Sequence, residues 1–137
     1  MSMQKLKTMF VGSSKPLKIV TLYNLLCVVV GAVVTAVFLP LYSAKHLTEY
    51  WFIGFLSLAV FSTLLFCMNY FLLKGSRLAF YAMFLWYMIQ IVVLKGVYEF
   101  HFTLHFTFFL NNFGINILAA AMTVILLFGK KDLKGGL

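Results

Sequence analysis

The sequence predicts an all-α integral membrane protein whose four transmembrane helices form an up-down-up-down antiparallel bundle. Three observations lead there. Of 137 residues, 64% are hydrophobic and 10% charged, too apolar and too poor in charge for a soluble domain of this size. The apolar residues gather into four runs, each near the roughly 20 residues that a helix needs to cross about 30 Å of hydrocarbon. Nine of the eleven Lys and Arg residues fall in three clusters at alternate run ends: Lys5, Lys7, Lys15 and Lys18; Lys74 and Arg77; Lys130, Lys131 and Lys134. Only Lys45 and Lys95 lie on the other side. Basic residues near span ends stay in the cytoplasm or its equivalent, so both termini are expected inside.

The first run, about 17–39, lies between Pro16 and Pro40, and Pro suits both the first turn of a helix and the position just beyond its last. It exceeds a signal-peptide core, and no small-residue cleavage motif follows it, so it is expected to remain as a span. Upstream, Met3, Leu6 and Phe10 recur at helical spacing among Lys5 and Lys7. Residues 1–14 therefore form a candidate amphipathic segment in the inner interface. The second run, about 51–73, opens on Tyr50 and Trp51, an interfacial aromatic pair, and closes on Lys74-Gly75, a cation and a glycine stop. The third, about 78–95, ends at the similar Lys95-Gly96, and the fourth, about 104–128, ends at Gly129. The short connections between runs make neighbours antiparallel within one domain covering residues 1–137.

A polar side chain within hydrocarbon turns toward another helix or a wet cavity, because lipid leaves it unsatisfied. On the first helix Asn24, Cys27, Gly31 and Thr35 make a narrow packing seam. On the fourth, His105, Asn112, Asn116 and Thr123 fall within about 60° at 100° per residue and predict a polar helix face. Counted at about 1.5 Å per residue from the inner end, Asn24, Asn69 and Thr123 lie roughly 8 to 11 Å deep, and Ser62, Gln90 and Asn116 roughly 18 to 20 Å. The expected interhelical polar contacts are accordingly Asn24, Asn69, Ser62 and Gln90, with Gln90 and Asn116 meeting near mid-bilayer.

Chemistry has one candidate location, the outer ends. His46, Glu49, Glu99, His101 and His105 are weak candidate metal ligands there. Their spacing is not specific, and Lys45 and Lys95 bring positive charge to the same region, so no metal and no cofactor is expected. The central parts of the spans hold no ionisable carboxylate or amine, which disfavours a proton-coupled carrier. Cys27 and Cys67 lie inside apolar runs without Cys-x-x-Cys spacing and read as buried packing residues. No phosphate-binding glycine loop or nucleophile triad is present.

The +8 formal charge flanks the spans. It implies anionic lipid headgroups at the inner face rather than nucleic acid. The functional expectation is a non-enzymatic, multi-pass protein of a bacterial inner membrane or an organellar membrane. It would act through protein–protein contacts in the bilayer, as an accessory subunit, assembly factor or immunity-type inhibitor, or as a homo-oligomer. One alternative is a small oligomeric channel or carrier for a neutral or weakly charged solute, lined by the polar face of helix four. Another is a membrane enzyme or redox subunit with a His/Glu metal site on the outer face.

Overall fold

The computed structural model describes residues 2–43, 48–95 and 106–133. Helices dominate, with α1 Met3–Gly12, α2 Lys15–Ser43, α3 Thr48–Leu73, α4 Arg77–Ile91 and α5 Ile117–Gly129, the last followed by a single 3₁₀ turn. Two stretches, Lys15–Val34 of α2 and Phe55–Leu73 of α3, are long and apolar enough to cross a membrane.

Local chemistry accounts for the helix ends on the basic side. After α1 the chain turns extended at Ser13, whose Oγ and N–H both donate to the Phe10 carbonyl, at 2.7 and 3.2 Å. Lys18 Nζ then lies 6.0 Å from the Phe10 ring centroid and ties α1 back over the start of α2. Pro16 sits in the first turn of α2, where its missing N–H costs nothing. At the far end α2 continues through Pro40 to Ser43, whereas the sequence predicts a stop at Leu39. Helix α3 closes with a Schellman cap: Gly75 N–H donates to Leu72 O at 2.9 Å and Ser76 N–H to Phe71 O at 3.0 Å. That cap needs a left-handed residue, and Gly75 supplies a φ of 84°. Ser76 then caps α4, accepting from Ala79 N–H at 3.3 Å.

The main packing runs around the four long helices, α2 on α3 and α5 and α4 on α3 and α5, with side chains of α2 and α4 also meeting across the middle. Asn24 meets Asn69 near the basic end. A Cβ built on Gly31, two turns further along, would contact Leu58 at 3.4 Å, so α2 and α3 run antiparallel. Gly129 at the end of α5 lies against Leu17 at the start of α2, with no room for a Cβ there (2.8 Å). Between the helices Val20, Leu65, Leu72, Phe80, Met83, Tyr87 and Leu126 are buried into one core.

The opposite end departs from expectation. The sequence predicts helix over 78–95 and 104–128, but α4 stops at Ile91 and α5 begins at Ile117. The residues between build a three-stranded antiparallel sheet, β1 Val92–Leu94, β2 Thr107–Leu110 and β3 Phe113–Asn116, in the order β1-β3-β2. The β-branched run Ile91-Val92-Val93 loses side-chain freedom in a helix and fits a pleat. Aromatic and β-branched residues likewise fill 106–109, and Asn111-Asn112 makes the two-residue hairpin turn. Asn111 adopts a left-handed φ of 57°, which Asn tolerates better than most residues. At the hairpin's end Asn116 caps α5 by accepting from Ala119 N–H at 3.3 Å.

Candidate functional site

The deepest polar cluster joins three helices. Asn24 of α2 donates through Nδ2 to Asn69 Oδ1 of α3 at 2.9 Å and lies 3.3 Å from Met83 Sδ of α4. Its Oδ1 accepts from Tyr87 Oη of α4 at 2.6 Å. All four side chains are buried, and both ends of the Asn24 amide and the Tyr87 hydroxyl are used within the cluster. The depth count brings Asn24 and Asn69 together at one level. Tyr87 and Met83 do not follow from it, because a count of amides and hydroxyls on aliphatic side chains passes over both. The available signal was position, since Tyr87 and Gln90 are three residues apart and share one face of α4.

The other sequence-selected residues separate. Asn112, Asn116 and Thr123 do not share a helix face: Asn112 is in the hairpin turn, Asn116 ends β3, and only Thr123 is in α5. A four-residue recurrence that looks helical here straddles a strand, a cap and a helix. Thr123 Oγ1 donates to Ala119 O of its own helix at 2.8 Å. Gln90 and Asn116 are both fully buried, and Gln90 Nε2 donates to Trp86 O at 2.9 Å. Asn116 Oδ1 accepts from Ala119 N–H and, at 3.4 Å, from Phe106 N–H, while its Nδ2 has no partner among the described residues. Asn116 is thus a hinge post between sheet and helix rather than a donor to Gln90. Ser62 is half-buried in α3. Cys27 is buried as expected, but Cys67 faces outward from α3, because the inward side of that turn is taken by Met68 and Asn69. His46, Glu99, His101 and His105 lie outside the described residues. So do the side chains of Glu49 and Thr35, although α3 and α2 carry their backbones.

The sheet presents a feature of a different kind. Register places Val92, Ile115 and Phe108 side by side in one row and Leu94, Phe113 and Leu110 in the next. All six belong to one face, and all six are exposed, Phe108 and Leu110 the most at 60% and 66%. On the other face Val93, Gly114 and Asn116 are buried against the helices. Gly114 is needed for that fit, since a Cβ there would lie 2.7 Å from the Phe109 ring and 2.8 Å from Thr107 Cγ2. Both outer strands, β1 and β2, are edges of the described sheet.

Comparison with family models, with curated proteins and with solved structures found no match.

At the basic end, Lys74 and Arg77 of the second cation cluster and Lys130 and Lys131 of the third line two clefts around the helix termini. One cleft is lined by Thr8, Ser14, Leu73, Lys74 and Asp132 among others. A second is lined by Arg77, Tyr81, Phe128, Lys130 and Lys131. Aromatic rings hold several of these cations, with Lys74 Nζ 4.6 Å from the Tyr70 centroid and Lys130 Nζ 6.0 Å from that of Tyr81.

Proposed function

We propose that this chain is a non-enzymatic, multi-pass membrane protein that works by binding another protein within or at the edge of the bilayer, as an accessory subunit, assembly factor or inhibitor. The observation that carries the reading is a contrast: Asn24, Asn69 and Tyr87 bonded to one another across three helices, and an apolar sheet face that the described residues leave exposed. Asn24, Asn69 and Tyr87 bond to one another within the chain, which supports a packing role for the polar layer over a solute path. The six exposed side chains on the sheet offer contact and no reactive group.

In this reading α2 and α3 make two crossings and two composite segments make two more. At about 1.5 Å per helical and 3.3 Å per extended residue, α4 with β1 adds up to roughly 32 Å, and β3 with α5 to about the same. That matches a hydrocarbon layer of about 30 Å. The gathering of Lys15, Lys18, Lys74, Arg77, Lys130 and Lys131 at one end favours that end as cytoplasmic. Hydrocarbon does not tolerate an open sheet edge. Because β1 and β3 count toward that thickness, the outer edges of β1 and β2 call for polypeptide against them, and a partner seated on the apolar face beside them supplies it.

The test is site-specific photo-cross-linking in native membranes, with the reactive group at Phe108 on the sheet or at Val124 on the exposed side of α5. A discrete protein adduct from position 108 and lipid adducts alone from 124 is the expected result. Lipid adducts alone from both positions would sink the reading.

A further inference from the structure

We propose that the cleft between the start of α4 and the end of α5 is a binding site for an anionic phospholipid, its phosphate held by Arg77, Lys130 and Lys131 and its chain lying along Leu127 and Phe128. This deepens the membrane reading above and rests on it. The cleft has a volume of about 700 Å³ and is lined by those three cations and by a wall of aromatic and apolar residues, Tyr81, Leu127 and Phe128 among them. Among the described residues none of the three cations is in an ion pair; Asp132, beside Lys131 in sequence, lines the other cleft. The cleft therefore presents uncompensated positive charge directly against alkyl and aromatic surface.

A ligand that satisfies both halves is amphiphilic and acidic. A free phosphate would use the cations and leave the wall wet. A neutral lipid would use the wall and leave the charges without a partner. The position agrees, because α4 begins at Arg77 and α5 ends at Gly129, so the cations occupy the level where apolar segment gives way to headgroup. An arginine can grip two phosphate oxygens at once, while each lysine adds a mobile point charge. Lys130 Nζ lies 6.0 Å from the Tyr81 ring centroid, which joins one of the cations to the aromatic part of the lining.

The full-length protein would be reconstituted in vesicles of phosphatidylcholine alone or of phosphatidylcholine with an equal amount of phosphatidylglycerol, then released and examined by native mass spectrometry for retained lipid. Expected is retention of phosphatidylglycerol in preference to phosphatidylcholine. Retention should fall about a hundredfold in the combined variant Arg77→Gln, Lys130→Gln, Lys131→Gln, taking roughly a four- to fivefold loss per cation near a membrane surface. Lys5→Gln with Lys7→Gln removes two cations of α1 that do not line this cleft, and should retain lipid like the parent. Equal loss in both variants means general surface charge and overturns the site. Displacement of the lipid by inorganic phosphate at comparable concentration overturns the lipid assignment in favour of a simple anion site. Insertion into both vesicle types with no lipid retained refutes the cleft alone, whereas failure to insert into either refutes the membrane reading beneath it. All three positions are exposed, and an unchanged far-ultraviolet circular dichroism spectrum would verify that the variant folds.

Discussion

Replacing Asn24 by Leu removes the centre of the polar cluster while keeping a side chain branched at the same atom, so lost hydrogen bonds dominate, with some overpacking at this fully buried position added. Two bonds disappear, from Tyr87 Oη at 2.6 Å and to Asn69 Oδ1 at 2.9 Å, together with the weaker contact to Met83 Sδ. Interhelical bonds in membranes average about 0.6 kcal/mol and reach about 1.7, so the substitution should cost about 1–3 kcal/mol. The Tyr87 hydroxyl, fully buried, would then be without its acceptor. Tyr87→Phe in the parent should cost about 1 kcal/mol, and in the Asn24→Leu background close to nothing, because the orphaned hydroxyl goes with it. Equilibrium unfolding in mixed micelles by dodecyl sulfate titration would measure all four proteins, with Thr63→Ala, whose hydroxyl is exposed and bonded within its own turn, as a control near zero. A coupling of about 1 kcal/mol between positions 24 and 87 is expected. Additivity within about 0.3 kcal/mol would refute the claim that Asn24 and Tyr87 are bonded within the cluster.

Three further outcomes follow from the sheet and the helix ends. Gly114→Val should destabilise by about 1–3 kcal/mol in the same titration, since a Cβ would meet Thr107 Cγ2 at 2.8 Å on a stiff β-branched side chain; a neutral result would mean that the inner sheet face is loosely packed. Asn111→Gly should be neutral or slightly stabilising and Asn111→Ala costly by about 1 kcal/mol, because φ is 57°; equal effects of the two would argue against the left-handed turn. With Cys27 and Cys67 replaced by Ala, a cysteine at Asn112 should react with impermeant maleimide from outside intact cells, and one at Lys74 only after permeabilisation. The opposite pattern would invert the proposed orientation.

The parts legible in the sequence are those in which a single signal acts without competition. α2 and α3 follow from uninterrupted apolar length, and the end of α3 from Lys74-Gly75, which becomes the Schellman cap. Asn24 and Asn69 pair because an isolated amide in an apolar run has few alternatives, so a count of depth suffices. The hairpin was illegible for the opposite reason. Phe, Ile, Val and Thr suit both a lipid-facing helix and a strand, and in a run this apolar the period of two is hidden because both kinds of position are hydrophobic. The Asn111-Asn112 pair between two aromatic runs was the stronger local signal, a hairpin turn, and the recurrence of Asn at 112 and 116 obscured it. Tyr87 gives no such signal, because a Tyr in an aromatic-rich apolar run is equally at home at the interface, in lipid or in a polar layer.

The ladder that joins β1 to β3 has a mechanical consequence for the helices it continues. Helix pairs in membranes rearrange by sliding a few ångströms along their contact, since side-chain packing resists such shear only weakly. Here α4 and α5 each run directly into a strand, and the strands are stitched together from Val92↔Ile115 to Leu94↔Phe113. Axial slip of one helix would break every backbone bond in that seam. Slip by one residue would also turn Val93 outward and drive Phe113 or Ile115 into the space that Gly114 keeps open. The two helices are therefore clamped as one rigid lever, and whatever motion the protein makes must occur where that lever meets α2 and α3. The contact between Gly129 and Leu17 and the Asn24 cluster lie along that boundary, so a partner gripping the sheet would pull on the polar core through a stiff arm.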